Sequence, residues 1–542
     1  MLGQTGADRM THRKVVWAVV GALVGILLVA STLLIIPSLS SRGSTPPTPG
    51  FPVVPASFGG TNGSVVSLAN GFLGVNVRAQ ANFTEAMASE LNSSGARLIR
   101  WPGGELGDRF DPLSNDDAGS IYSDEGVPSA PGTTYAQFVA LCRAISCESI
   151  VTLPAEIDNA SEARAIVTYS ESSLGFRPSF WEVGNEPALW QHFGIPWSKW
   201  NASQEAAPTP SEYAAVVQSY VSAIRSVDTS TPIIGLGGIG KGASEVSEWF
   251  APTLALNGPN LSAMAIHVYP AGSGLPVSNL SAWFATLWGS SGLPGRVLAA
   301  TSVARSACPR CSVTILVDEF QIGTGLTAND SLGGGARASF VAAEIVESLP
   351  LPIASLDYYD FQSGGPGAWF GPTNGPSATY AMFEGFAEYL GSHAIQLNVS
   401  STASGVLAAE GGANLTTMSN LVVVNANATV GVRLNLSDQF PEAAQADAWY
   451  FNGTSSSPTV GTVSASAASN WTVPPASIAI FRGVGPIRST SQVKATLASH
   501  DSVGGSKVVA RSMFRVASPP FGALPRNVWY ATRYRGPDVR IP

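Results

Sequence analysis

The sequence predicts a (β/α)8 barrel followed by an all-β sandwich, with one membrane-spanning helix ahead of both. Three observations carry this reading. An uncharged apolar run lies near the N-terminus; eight short apolar segments then alternate with helical ones; from about Gly385 the pattern changes to short alternating runs separated by Gly, Asn and Ser. At 542 residues the chain exceeds one ordinary core. Only 12% of its residues are charged, about half the usual share, so something other than charge must hydrate the surface.

Taken in order, residues 1–14 are expected in the cytoplasm. Val15 to Ile36 is an apolar run of 22 residues, long enough to cross a hydrocarbon layer of roughly 30 Å as a helix. Arg9, Arg13 and Lys14 precede it and only Arg42 follows closely, which places the remainder outside the cell. The expectation is a single-pass anchor in the cell membrane with an extracellular catalytic domain. The rival is a cleaved signal peptide and a secreted protein, although its apolar region normally spans only about 7–15 residues. Residues 37–52 (PSLSSRGSTPPTPGFP) read as an extended stalk.

The barrel is assigned to residues 53–384. Its strand candidates are FLGVNV from Phe72, ARLIRW from Ala96, ESIVTLP from Glu148, SFWEVGNEP from Ser179, TPIIGLG from Thr231, LSAMAIHVYP from Leu261, SVTILVDEF from Ser312 and IASLDYYDF from Ile353. Helical spacing separates several of them, as in Thr134 to Ile145 and Pro210 to Val227. An open doubly wound sheet would need a glycine-rich phosphate turn near its first strand, and none is present. Val53 to Ser67 also suits a strand or two added to the sandwich. The sandwich is assigned to 385–485, with AIQLNV, LVVVNAN, VGVRLNL, ADAWYF and SIAIFRG as its strands. Residues 486–542 carry nine Lys or Arg against two Asp and read as a basic, disordered tail.

The net charge of −8, from 29 basic and 37 acidic residues, argues against nucleic acid as a partner. Fourteen Asn-x-Ser/Thr sequons, from Asn62 to Asn470, suit an exported glycoprotein. Four cysteines in close pairs, Cys142 with Cys147 and Cys308 with Cys311, read as local disulfides. A four-thiolate zinc site would require the two pairs to meet, yet they precede different strands.

In a barrel the chemistry lies at the C-terminal tips of the strands. Strand two ends on Arg100, strand four on Asn185 and Glu186, strand six on His267 and Tyr269, strand seven on Asp318 and Glu319. Glu186 and Glu319 are thus a candidate pair of carboxyls over one mouth, which is what cleaving a glycosidic bond requires. Asn185 suits a sugar 2-hydroxyl, and Arg100 and Tyr269 suit holding Glu319 ionised. Asp318 is expected to face away, since neighbours on a strand alternate. Trp190, Trp197 and Trp200, with Trp369 after strand eight, are candidate stacking faces for sugar rings; His192 lies in the same loop as the first three. A uronic acid would call for a cation, and the candidates are Arg109 and Lys241.

WEVGNEP (Trp181 to Pro187) resembles the acid/base motif of the clan A retaining glycoside hydrolases, and LVDEFQ (Leu316 to Gln321) resembles their strand-seven nucleophile segment. The likeness spans roughly Phe72 to Gly485. The barrel followed by EYLGS (Glu388 to Ser392) and a sandwich is similar to the heparanase and β-glucuronidase family, whereas RWPGG (Arg100 to Gly104) looks more like the α-L-arabinofuranosidases. The resemblance implies Glu186 as general acid/base with a raised pKa, Glu319 as an unprotonated nucleophile, Asn185 as the 2-hydroxyl contact, and Arg100, His267 and Tyr269 as supports. It implies carboxyls about 5–5.5 Å apart, a carbohydrate substrate, and no metal or other cofactor. A carbohydrate-binding surface protein without turnover is the competing function.

Overall fold

The computed structural model describes residues 51–484, apart from internal segments of which the longest are 118–132, 194–205, 324–333 and 435–444. The expected anchor (15–36), nearly all of the stalk, the basic tail, His192, Trp197, Trp200 and Lys241 lie outside the described residues. Among the described residues no helix is long and apolar enough to cross a membrane.

The chain opens with β1 (Val53–Ser67) and then builds a closed barrel from β2 (Leu73–Asn76), β3 (Leu98–Trp101), β6 (Glu148–Leu153), β7 (Phe180–Val183), β8 (Ile233–Ile234), β9 (Ala263–Val268), β10 (Thr314–Phe320) and β11 (Ile353–Tyr358). A small hairpin, β4 (Phe110–Asp111) with β5 (Asp116–Asp117), follows β3. Each barrel strand falls inside one of the eight apolar runs. Helices on the outside and side chains on the inside bury both strand faces, and β3 and β9 are buried along their whole length. Helix starts are explicit: Thr134 with Gln137 and Thr209 with Glu212 form capping boxes, and Pro210 occupies the first turn of the latter helix.

Inside the barrel, alternate residues make two layers of opposite character. Leu98, Ile150, Ile234, Ala263, Ala265 and Leu316, with Phe180 packed against them, form an apolar plug. Two residues further along the strands, Arg100, Thr152, Glu182, His267 and Asp318 form a buried polar layer directly above it. The plug excludes water from below, so every charge in that layer must find its partner sideways.

The remaining strands are β12 (His393–Ser401), β13 (Val406–Asn414), β14 (Met418–Asn425), β15 (Gly431–Leu434), β16 (Gln445–Phe451), β17 (Thr459–Ser464), β18 (Thr472–Val473) and β19 (Ser477–Val484). Hydrogen bonds join them in the order β17-β16-β19-β14-β13-β12-β1-β15-β18. This sheet folds over on itself. Trp471, beside β18 at one edge, meets Tyr450 of β16 and Phe481 of β19 across the fold, with Leu421, Val423, Val432, Leu434 and Val473 sealed between the two halves. β1 belongs to this sheet, pairing with β12 and β15, so the barrel's own strands begin at Leu73 rather than at residue 53. Cys142–Cys147 and Cys308–Cys311 are disulfides, each tying a helix end to the approach of the next barrel strand.

Candidate active site

Arg100, fully buried at the tip of β3, organises the mouth. Its Nε donates to Glu182 Oε2 (2.7 Å), Nη1 to Glu319 Oε1 (2.7 Å) and Asn76 Oδ1 (3.0 Å), and Nη2 to Asn185 Oδ1 (2.8 Å). Burial works against its charge, but Glu182, Asp318 and Glu319 outweigh that and hold the guanidinium firmly charged. Burial likewise opposes ionisation of Glu182. Arg100, with hydrogen bonds from Asp318 and from Thr152 Oγ1 at 2.5 Å, overcomes it and holds that carboxyl below its ordinary range. Asp318 goes the other way: burial, and the negative charges of Glu182 and Glu319, push it well up against the pull of Arg100.

Glu319 receives a second hydrogen bond, from the Tyr269 hydroxyl at 2.6 Å. Burial and the charge of Glu319 push that phenol well above its ordinary range, so it stays a donor. Beyond the end of β7, Glu186 Oε1 lies 2.8 Å from His267 Nδ1, and the same nitrogen is 3.4 Å from Glu319 Oε2. Two oxygens so close to one nitrogen stand no more than roughly 6 Å apart, which is compatible with the spacing of about 5–5.5 Å between the carboxyls of a retaining pair. Arg296 fixes the His267 backbone by donating to its carbonyl at 3.2 Å.

Local backbone features place these groups. Glu186 has φ 41° and ψ 57°, the left-handed region, which costs a non-glycine residue about 1–3 kcal/mol. Its N–H donates to Gly237 O, and Pro187 begins a 3-10 turn immediately after it. Gly184, at φ +65°, sits where a Cβ would meet the Trp190 ring at 2.7 Å; the glycine of WEVGNEP is therefore obligatory.

On β10, Leu316 pairs with Ala265 and Glu319 with His267, so three steps on one strand match two on the other. This bulge corrects the expectation that Asp318 faces away. Asp318 continues the inward phase of Leu316, and the extra residue turns Glu319 inward as well, so both reach Arg100, at 3.5 and 2.7 Å. Asp318 is the deeper of the two, with a side chain fully hidden from solvent, which leaves Glu319 as the carboxyl at the mouth.

Two predicted stacking faces are corrected. Trp190 is only 3% exposed; its ring packs on Phe193 and Tyr213 and its Nε1 donates to Asn185 O at 2.7 Å, so it supports the Asn185 backbone. Trp369 is wholly buried among Tyr358, Phe361, Tyr380 and Phe383. Neither presents a face to a sugar. Arg109 donates to Glu156 and to Glu105, both at 3.2 Å.

Glu182 and Asp108 escaped the sequence reading. Asp108 Oδ1 accepts from the Asn185 N–H at 2.7 Å and locks the strand tip; burial, then Glu156, push its carboxyl well up. The available signal was charge inside runs that bury both faces: Arg100 and Glu182 each demand an opposite partner there. A separate cavity of about 690 Å³, lined by residues such as Arg97, Glu384 and Ser392, lies at the other end of the barrel and contains none of these groups.

No protein-family model and no curated protein matches the sequence. Solved structures are similar in fold. A family 51 α-L-arabinofuranosidase from Bifidobacterium longum superposes with a TM-score of 0.61 at 14% identity, covering 80% of this chain and 99% of that one. A GH51 arabinofuranosidase from Xanthomonas axonopodis pv. citri gives 0.59 at 12%, covering 80% and 99%. A family 44 xyloglucanase from Paenibacillus polymyxa gives 0.54 at 12%, covering 80% and 100%. The likeness establishes the barrel-plus-sheet fold.

Proposed function

We propose that this protein is a retaining glycoside hydrolase in which Glu319 is the nucleophile and Glu186 the general acid/base. The observation that carries the reading is the shared nitrogen of His267, against which both carboxyls rest at the mouth of one barrel. Glu319, held by Arg100 and Tyr269, attacks the anomeric carbon while Glu186 passes its proton to the leaving oxygen. Glu186 then takes a proton from the water that releases the sugar from Glu319. Asn185, its Oδ1 fixed by Arg100, offers its amide nitrogen to the sugar 2-hydroxyl. The fold shared with family 51 and family 44 glycosidases supports the same chemistry.

The substrate is best read as a neutral glycoside of a polysaccharide or glycoconjugate, with an α-L-arabinofuranoside as the first choice. A β-glucuronide would need a cation for its carboxylate, and Arg109, the described candidate, is already engaged by Glu156 and Glu105. Incubation with 2-deoxy-2-fluoro glycosides of several sugars should leave one of them attached to Glu319 in a peptide map. Turnover of aryl glycosides with no adduct at Glu319, or binding with no turnover at all, would overturn the assignment. We further place the enzyme outside the cell on the 15–36 anchor; protease added to intact cells should then remove the catalytic domain.

A further inference from the structure

Four carboxyls, Glu182, Asp318, Glu319 and Asp357, bear on the single guanidinium of Arg100, and all are buried. Four negative charges against one positive charge are untenable above an apolar plug, where unpaired ions are strongly disfavoured. The hydrogen bonding says where a proton must sit. Glu182 Oε1 and both Asp318 oxygens have no hydrogen-bond partner as long as both carboxyls are ionised, although Glu182 Oε2 and Asp318 Oδ2 face the same Arg100 Nε at 2.7 and 3.5 Å. Two carboxylates cannot donate to one another. A proton between them supplies the missing donor and removes one charge.

We propose that Glu182 and Asp318 hold one proton between them, resting on Asp318, as a positioning pair beneath the nucleophile: Arg100 then answers one carboxylate of the pair and Glu319. Because either member can carry the charge, the pair keeps the field at Glu319 constant when one member is neutralised. The other titratable groups around it are His267, whose Nε2 is 3.4 Å from Asp318 Oδ1, and Asp357, Tyr213, Tyr269 and Glu186. Burial pushes Asp357 well above its ordinary range despite Arg100, and Tyr213 is pushed well up by burial, so both stay neutral beside the pair. Asn76 and Thr152 complete the ring without charge.

The inference rests on the hydrolase reading, and its test separates the two. The acid limb of kcat/KM against pH is measured on the full-length protein and on Glu182→Gln, Asp318→Asn and the double variant. Each single variant should keep that limb near its parental position, since the remaining carboxyl carries the charge. The double variant should move it down by about one pH unit or more, because Arg100 then serves Glu319 alone and a like charge has gone. A shift in Asp318→Asn as large as in the double variant, or no shift in the double variant, would overturn the proposal. Infrared spectra of protein with 13C-labelled aspartate test the pair without turnover or the double variant. At neutral pH the parent should show a protonated carboxyl band that Asp318→Asn loses and Glu182→Gln converts to carboxylate; a parent in which Asp318 is already carboxylate refutes it. A parent inactive on every glycoside would count against the hydrolase reading while the infrared result still decides the pair.

Discussion

At the mouth of the barrel Glu182 is buried with Arg100 at 2.7 Å and Thr152 donating to the same oxygen, and its carboxyl is held low. In the helix Gly334–Ser348, which packs against β13, β14 and β19, Glu344 is equally hidden. Neither of its oxygens has a hydrogen-bond partner, and burial pushes it well above the ordinary carboxylate range. Burial itself therefore says little about an acid's state; the neighbours decide it. Where a cation and donors converge, a buried acid becomes part of an electrostatic apparatus. Where they are missing, it is a neutral group that weakens the fold.

The contrast can be broken from either side. Glu319→Gln should cause the largest loss, about 10⁴-fold or more in kcat on every substrate, with sugar binding retained, as measured by steady-state kinetics and a binding isotherm. If the variant instead failed to bind, the mouth would be a structural rather than a chemical region. Glu186→Ala should lose about 10²–10⁴-fold on natural glycosides and much less on aryl glycosides whose leaving groups need little protonation; equal losses on both would remove the acid role. Tyr269→Phe deletes one donor to Glu319 and should cost about tenfold or more in kcat/KM, with the acid limb of the pH profile moving up, since the charged form loses a hydrogen bond. The smallest effect, and of opposite kind, belongs to Glu344→Gln. Activity should be unchanged and stability at neutral pH raised by about 1 kcal/mol in chemical denaturation.

The sign of that last effect follows from linkage. The folded protein keeps the Glu344 proton at pH values where the unfolded chain, titrating near 4.3, has released it. Stability is thus lost as pH rises above the unfolded value, and the glutamine variant should lack that slope. A parent that grows more stable over the same range would contradict it, unless the slope difference between the two proteins survives.

Much of this was legible in the sequence because barrel strands bury both faces and so announce themselves as unbroken apolar runs. Glu186 and Glu319 stood out because each ends such a run. What stayed illegible depended on register and neighbours. The position of Asp318 follows from a bulge that no alternation rule reveals. The tryptophans Trp190 and Trp369 look alike in a loop whether they cover a pocket or fill a core. β13 was missed because Glu410, Gly411 and Gly412 interrupt its apolar pattern, while burial of Glu410 against the fold is a tertiary matter. β18 is two residues long and exists only as a partner for β15.

The extra residue on β10 also limits how this chemistry can be transplanted or lost. Removing Val317 would alter no functional side chain, yet strict two-step phasing would return: Glu319, then two residues from Leu316, would still point inward opposite His267, while Asp318 would swing toward the helical layer and leave Arg100. A one-codon deletion there should keep the acid at the mouth but empty the place beneath it, and anyone grafting the segment onto another scaffold must carry the irregularity across with the letters.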